Sequence, residues 1–235
     1  TSDDIKAMGA GGLLKEIGAR PLPRAQAVEE PRPSTNAAAQ VAAIILAAGT
    51  SSRMGGRNKL LEDFDGATMI RRTVENVLKS EASPIVIVTG RDARQIETSL
   101  SGLDVIFANN ADFTNGMSGS LRVGLDKLTD QVAGSLICLG DMPLVSPKIV
   151  NTLIAAFDEE EGRTICLPVH HGKWGNPILW SRRYFEEMRA INGDRGAREL
   201  LHTYAERIFE VAADSEGVLK DFDTAESFED RITDD

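Results

Sequence analysis

The chain has 235 residues, of which 42% are hydrophobic and 26% are charged, a composition typical of one sizeable globular domain with an appendage. Its formal net charge of -10 argues against non-specific binding to DNA or RNA, although a local basic pocket can still hold a nucleotide. Neither a run of about 20 apolar residues nor the apolar core of a signal peptide is present, so no membrane partner is expected.

The first 40 residues differ from the remainder of the chain. They contain four of the nine prolines, together with alanine runs and little hydrophobic periodicity. This composition predicts a linker or tail over 1–40 and one folded domain over 41–235. The two cysteines, Cys138 and Cys166, lie inside short apolar runs. They therefore favour buried thiols in a reducing cytoplasm over a disulfide framework.

Strands and helices alternate from Val41 onwards. The apolar, β-branched run at 41–46 is followed by glycine and predicts a buried parallel strand. Further strands are predicted at 84–90, 103–109, 135–141, 164–167, 176–180 and 207–212. Helical spacing of apolar residues predicts helices at 68–80, 91–100, 116–128, 146–161, 181–190 and 195–204. This order predicts an α/β fold with a mostly parallel sheet between two layers of helices, and ligands at the carboxyl ends of the strands.

A glycine-rich loop follows the first predicted strand, at 46–61. Gly49 and Gly55 allow backbone N–H groups to approach an anion, while Arg53 and Lys59 supply positive charge. These residues suit the cradle of a triphosphate. The spacing matches neither the Walker A loop nor the G-x-G-x-x-G fingerprint of dinucleotide-binding folds.

Two carboxylates are candidate ligands of a metal ion. Asp141 ends the fourth major strand, and Asp223 lies in the segment 221–224 near the C-terminus. Mg²⁺ binds one or two carboxylates together with phosphate oxygens, so this pair predicts a magnesium site, with Mn²⁺ as an alternative. Such a site would stabilise charge during phosphoryl chemistry without a catalytic triad.

At these residues the chain resembles a known family. The pattern L-A-A-G-x-S-x-R-M-G-x-x-x-K at 46–59 is similar to the signature loop of the molybdenum-cofactor nucleotidyltransferases, and the resemblance extends over about 41–232. It implies a Rossmann-like three-layer αβα fold of the nucleotide-diphospho-sugar transferase type. It also implies transfer of a nucleoside monophosphate from an NTP to the phosphate of molybdopterin, release of pyrophosphate, and a molybdoenzyme as a client.

The resemblance to the family and the positions of residues at strand ends together predict which residues bind the nucleotide, bind the metal and act in catalysis. The nucleotide-binding set comprises Leu46, Ala47, Ala48, Gly49, Ser51, Arg53, Gly55, Lys59, Thr89, Met117 and Ser120. Arg53, Lys59 and Asp141 are the expected catalytic residues, and Asp141 and Asp223 the expected metal ligands.

Two further segments resemble the acceptor side of the family. The pattern H-G-x-x-G-N-P at 171–177 and the pattern G-D-x-G-A-R at 193–198 lie near the pterin-bearing acceptor in the family. They imply that the acceptor is bound by Asn176, Asp194, Arg195 and Arg198. Trp174 either stacks on a flat ring or packs within its turn.

Several alternatives remain open at this stage. Residues 47–49 and 58–61 look closer to the cytidylyl branch than to the guanylyl branch, which favours CTP over GTP. Residues 6–21 resemble the end of a molybdopterin-binding domain, which would make this chain part of a longer fused protein. The rivals are a guanylyltransferase of the same cofactor, a methylerythritol-phosphate cytidylyltransferase, a dinucleotide-dependent oxidoreductase and a non-catalytic module that delivers the cofactor.

Overall fold

The computed structural model describes residues 40–49, 58–193 and 197–222, without the side chains of Asn115, Arg198 and Glu199. The strands are β1 (Gln40–Ala47), β2 (Ile85–Thr89), β3 (Ile106–Asn109), β4 (Val132–Leu139), β5 (Ile165–His170), β6 (Lys173–Trp174), β7 (Ile178–Ser181) and β8 (Ile208–Ala212). The α-helices are α1 (Met69–Leu78), α2 (Ala93–Ser99), α3 (Met117–Leu125), α4 (Pro147–Ala156), α5 (Phe185–Ala190) and α6 (Arg198–Thr203). The structure contains each predicted strand and helix, but the helices predicted over 116–128 and 146–161 end earlier, at Leu125 and Ala156, and the short strand β6 was not predicted. Of the tail predicted over 1–40, Gln40 is the first residue of β1, and residues 1–39 lie outside the described residues.

The strands form one mixed sheet in the order β3-β2-β1-β4-β7-β5-β6, and β8 pairs with β5. Neighbours among β3, β2, β1 and β4 are parallel, whereas β7 runs antiparallel to both β4 and β5. The mostly parallel sheet is therefore confirmed. Because β7 is reversed, its first residues lie at the same edge of the sheet as the last residues of β1, β2 and β4.

Helices cover both faces of the sheet. Alternate residues of β1 point to opposite faces, so Ile45 and Ile44 lie in different hydrophobic clusters. The cluster around Ile45 takes its helical residues from α1, α2 and α4, and the cluster around Ile44 takes them from α3, α5 and α6. This arrangement confirms the three-layer αβα architecture.

Local signals explain where individual helices begin and which face they bury. Ser146 caps α4 by accepting a hydrogen bond from the Ile149 N–H at 3.4 Å, and Pro147 occupies the first turn. In α1 the residues at helical spacing, including Met69, Ile70 and Val74, are fully buried. In the parts of the chain that the structure describes, no helix combines the length and apolarity needed to cross a bilayer.

The two thiols lie in the core, as predicted. Cys138 in β4 and Cys166 in β5 are unpaired and buried. Burial disfavours the charged thiolate and raises the pKa of each thiol to about 12. Both cysteines are therefore packing residues rather than nucleophiles.

Candidate active site

The end of β1 forms one wall of the candidate site. The Leu46 carbonyl accepts a hydrogen bond from the Gly140 N–H at 3.0 Å, which joins the ends of β1 and β4. Ala47 and Ala48 are buried, whereas Gly49 is exposed, so the chain leaves the sheet surface at this glycine. Of the other residues predicted in this loop, Ser51, Arg53 and Gly55 lie outside the described residues.

A short 3₁₀ turn carries Lys59. It begins after Asn58, whose side-chain oxygen accepts a hydrogen bond from the Leu60 N–H at 3.1 Å, while its Nδ2 donates to Oδ2 of Asp92 at 2.9 Å. Because Asn58 is buried, these two hydrogen bonds fix the backbone conformation of the turn that carries Lys59. The sequence did not predict this anchor, although an asparagine directly before a helical turn is a capping signal.

Lys59 and Asp141 are brought together by the fold. Nζ of Lys59 forms an ion pair with Oδ2 of Asp141, and each side chain is only 14% exposed. The two residues are 82 positions apart in the sequence, so the contact exists because β1 and β4 are neighbours. A partly buried pair of this kind creates a stronger local field than the same charges in water.

Asp141 lies beside Phe222, the last described residue before the other predicted metal ligand. Asp141 follows β4, and its backbone carbonyl accepts a hydrogen bond from the Phe222 N–H at 3.4 Å. Asp223, the other predicted ligand, is the next residue in the sequence and lies outside the described residues. Within the described ranges no group of three or more His, Cys, Asp or Glu side chains is arranged to hold a metal.

The first turn of α3 lies next to the end of β3. Met117 is 43% exposed, whereas Ser120 is buried and its hydroxyl accepts a hydrogen bond from Nδ2 of Asn110 at 3.0 Å. Asn110 follows the end of β3 and was missed by the sequence analysis. Thr89 is completely buried at the end of β2, and its hydroxyl has no hydrogen-bond partner among the described residues. The predicted nucleotide contacts of Thr89, Met117 and Ser120 stay predictions.

The predicted acceptor turn lies beside the start of β7. The Asn176 N–H donates to the Val218 carbonyl at 2.9 Å, and only glycine fits at 175 because a Cβ there would collide with that carbonyl. The indole N–H of Trp174 donates to Oε1 of Glu210 at 2.7 Å. This bond to β8 favours packing within the turn as the role of Trp174.

The second acceptor segment begins next to α3. The Ser118 N–H in the first turn of α3 donates to the Gly193 carbonyl at 3.2 Å. Asp194 and Arg195 lie outside the described residues, and Arg198 is described only as the first backbone position of α6. The contact shows that the segments assigned to nucleotide and acceptor adjoin each other.

The sheet order and the two layers of helices are those of a Rossmann-like nucleotide-diphospho-sugar transferase fold, and the lysine–aspartate pair lies at the carboxyl edge of its sheet. Residues 43–208 match the family described as MobA-like NTP transferase domain. The chain belongs to this family.

Relatives and solved structures agree with this assignment. A probable molybdenum cofactor guanylyltransferase of Methanosarcina mazei is 31% identical over 155 residues, which are 63% of this chain and 62% of that protein. The molybdenum cofactor guanylyltransferase of Vibrio atlanticus is 26% identical over 73% of this chain and 84% of its own length. A nucleotidyl transferase structure from Methanothermobacter thermautotroptrophicus is 26% identical and covers 83% of this chain and 96% of its own, with a TM-score of 0.72. The chain thus matches less than two thirds of the length of the Methanosarcina relative.

Proposed function

We propose that this protein transfers the nucleoside monophosphate of GTP to the phosphate of a molybdopterin-type acceptor and releases pyrophosphate. The observation that carries the proposal is the contact between Lys59 and Asp141 at the carboxyl edge of the sheet. It joins the end of the glycine-rich loop to the end of β4, which is where an α/β sheet of this kind binds its ligands. The names of the relatives support the choice of reaction and nucleotide.

Lys59 and the loop backbone would stabilise the triphosphate. The Lys59 ammonium is a compact charge that meets phosphate oxygens, and the exposed Gly49 lets backbone N–H groups approach them closely. These groups stabilise the negative charge that grows on the leaving pyrophosphate. The attacking acceptor phosphate is already ionised at neutral pH, so the reaction needs neither a strong base nor a covalent intermediate on the protein.

Asp141 and Asp223 would hold the divalent cation. When bound, Mg²⁺ or Mn²⁺ neutralises developing charge on the phosphate oxygens. The partial burial of Asp141 supports its assignment, because a preorganised carboxylate is a good ligand for a hard cation. The hydrogen bond from Phe222, the neighbour of Asp223, to the Asp141 carbonyl supports the pairing of the two aspartates.

Asn176, Asp194, Arg195 and Arg198 would bind the acceptor. Two arginines suit a phosphate group, which they can grip through paired N–H donors. The hydrogen bond between Ser118 and Gly193 supports an acceptor close to the nucleotide, because it joins the two segments. A molybdoenzyme client, a cytoplasmic location and a preceding molybdopterin-binding domain belong to the same proposal.

CTP is the second candidate nucleotide. The resemblance of residues 47–49 and 58–61 to the cytidylyl branch favours it, whereas the relatives' names favour GTP. In the structure Asn58 is used to anchor the turn beneath Lys59, through its bonds to Leu60 and Asp92. Asn58 therefore has a structural role that does not depend on the base, which weakens it as a marker of CTP.

The test is incubation of the protein with molybdopterin, Mg²⁺ and GTP or CTP in turn, with the products identified by mass. We expect a molybdopterin–GMP dinucleotide and pyrophosphate. If only the CMP product forms, the nucleotide substrate is CTP rather than GTP. If product forms only when methylerythritol phosphate and CTP are supplied instead, the protein is a methylerythritol-phosphate cytidylyltransferase. Nucleotide binding without turnover would indicate a delivery module, and binding of NAD instead of NTP would indicate an oxidoreductase.

A further inference from the structure

The loop that carries Asp141 runs from the end of β4 to the start of α4, and α1 packs against it. Thr73 of α1 is 3% exposed. Its hydroxyl donates to the Gly140 carbonyl at 3.0 Å and shares that proton with the Met69 carbonyl of its own helix, at 3.1 Å. A helical threonine can satisfy its hydroxyl within its own helix, so the bond to Gly140 is an additional contact between α1 and the loop.

Asn76, three residues further along α1, binds the loop on the other side of Asp141. Its Nδ2 donates to the Pro143 carbonyl at 2.9 Å. Residues three positions apart lie on the same face of a helix, so Thr73 and Asn76 both face the loop. The two carbonyls that they bind belong to the residue directly before Asp141 and to the second residue after it. The backbone is therefore held on both sides of Asp141.

Close packing at Gly140 restricts the loop further. A Cβ at this position would lie 3.0 Å from both Cδ1 of Ile70 and the Leu46 carbonyl oxygen, so glycine permits this close approach of the loop to α1 and β1. Beyond this packed backbone, the Asp141 carboxylate forms its ion pair with Lys59. The fixed backbone thus determines where that carboxylate can lie.

We propose that Thr73 and Asn76, here called the α1 clamp, are positioning residues that hold the Asp141 carboxylate against Lys59. The clamp fixes the backbone on both sides of Asp141, so rotation of the aspartate side chain is the main freedom that remains. This inference rests on the proposed function, in which Lys59 and Asp141 belong to the triphosphate site. A group that is held in its productive position before the substrate binds loses less conformational freedom in the reaction.

The first test is the rate of pyrophosphate release by variants of Thr73. Thr73→Val keeps the shape of the side chain but removes the hydroxyl. We expect kcat to fall about tenfold, less than the roughly 10²-fold loss that a misplacement of about 1 Å can cause, while KM for the acceptor stays constant. Thr73→Ser keeps the hydroxyl and should restore most of the rate. Thr152→Val is the matched control, because within the described ranges the Thr152 hydroxyl donates to the Lys148 carbonyl of its own helix, at 2.8 Å, and to no residue of the Asp141 loop.

The other half of the clamp is tested by Asn76→Ala. This variant should show a similar fall in kcat, and it carries the comparison if Thr73→Val does not fold by circular dichroism. Its control is Asn151→Ala, since Oδ1 of Asn151 in α4 accepts the Glu81 N–H at 2.8 Å. That bond is a comparable tertiary contact, but it joins α4 to the turn after α1 rather than to the Asp141 loop. Both controls should turn over as the wild type does.

A second measurement needs no substrate. Lys59 is ion-paired and its side chain is 14% exposed, so acetic anhydride should acetylate it slowly in the wild type. In Thr73→Val the pair should be held less firmly and Lys59 should react faster. Mass spectrometry of the peptides measures the rate at each lysine, and the exposed Lys79 is the internal reference that should not change.

Three kinetic results would overturn the inference: wild-type kcat in Thr73→Val and Asn76→Ala, an equal loss in the controls, or no recovery in Thr73→Ser. Unchanged acetylation of Lys59 in Thr73→Val would overturn it as well, even in an active enzyme. A wild-type protein that forms no product would overturn the proposed function and with it the role of the clamp in catalysis. In that case faster acetylation of Lys59 in Thr73→Val would still show that the clamp holds the ion pair.

Discussion

The two halves of the sheet build the candidate site in different ways. In the half formed by β3, β2, β1 and β4 all neighbouring strands are parallel, so their carboxyl ends meet at one edge. In the half formed by β7, β5, β6 and β8 the strand β7 is reversed, and the same edge is reached by the turn before it. The first half supplies Gly49 and Asp141, and the second supplies Asn176.

This difference explains how the two halves are stabilised at the site. In the parallel half, the sheet itself brings Lys59 and Asp141 together. In the other half, Asn176 is held by a backbone hydrogen bond to Val218 in a segment from much later in the chain. We therefore expect substitutions in the parallel half to change the turnover and the binding of the nucleotide. Substitutions in the mixed half should change the binding of the acceptor.

The largest effect is expected at Asp141. Asp141→Asn keeps the size of the side chain but removes its charge, so turnover should fall on the order of 10³-fold, the upper range for one electrostatic stabiliser. Pyrophosphate release in steady state is the measurement. Asp104→Asn, at an exposed aspartate outside the site, is the control and should behave as the wild type. Near-normal turnover in Asp141→Asn would remove it from the metal site.

A smaller loss is expected at Lys59. Lys59→Ala removes one stabilising charge from the triphosphate, so kcat should fall about 10²-fold and KM for the nucleotide should rise. The measurement is initial rates over a range of GTP at saturating acceptor. Lys79→Ala, at the exposed end of α1, should leave both constants unchanged. Equal kinetics in Lys59→Ala and the wild type would exclude Lys59 from the site.

In the mixed half the effect should fall on the acceptor alone. Asn176→Ala should raise KM for molybdopterin about tenfold through loss of a side-chain hydrogen bond, while KM for the nucleotide stays constant. Separate titrations of the two substrates measure this split. Asn192→Ala, at an exposed asparagine, is the matched control. A rise in KM for the nucleotide would contradict the division between the halves.

The smallest effect concerns one thiol in each half. Cys138 lies in β4 and Cys166 in β5, and burial raises the pKa of both to about 12, so little thiolate forms near neutral pH. We expect no measurable reaction of the native protein with a thiol reagent at pH 8, and reaction of both cysteines once denaturant unfolds it. If one thiol of the native protein is modified rapidly and the other is not, the half of the sheet that contains the modified thiol unfolds locally and exposes it, against this expectation.

The sequence predicted the parallel half well, because its signals are local. The β-branched run of β1, the capping Ser146 and the carboxylate at the end of β4 each depend on neighbours in the chain. Asp141 was predicted as a site residue because residues that follow parallel strands gather at one edge. In the mixed half Asn176 was predicted through family resemblance, since nothing local shows that β7 is reversed. Both roles stay predictions.

Other parts of the site were missed because they depend on contacts between distant residues. The bond from Asn58 to Asp92 and the bond from Thr73 to Gly140 exist only once the sheet has formed. Asn110 donates a hydrogen bond to Ser120 across the turn between β3 and α3, and neither residue alone indicates this bond in the sequence. The reversed strand and the hairpin strand β6 likewise follow from pairing rather than from composition.

The most direct test of the proposed nucleotide and metal site is a crystal of the protein grown with GTP and Mn²⁺, with the metal located by its anomalous scattering. We expect a peak bound to the Asp141 carboxylate, with the triphosphate lying between Gly49 and Lys59. A peak elsewhere, or a nucleotide bound away from Lys59 and Asp141, would contradict it.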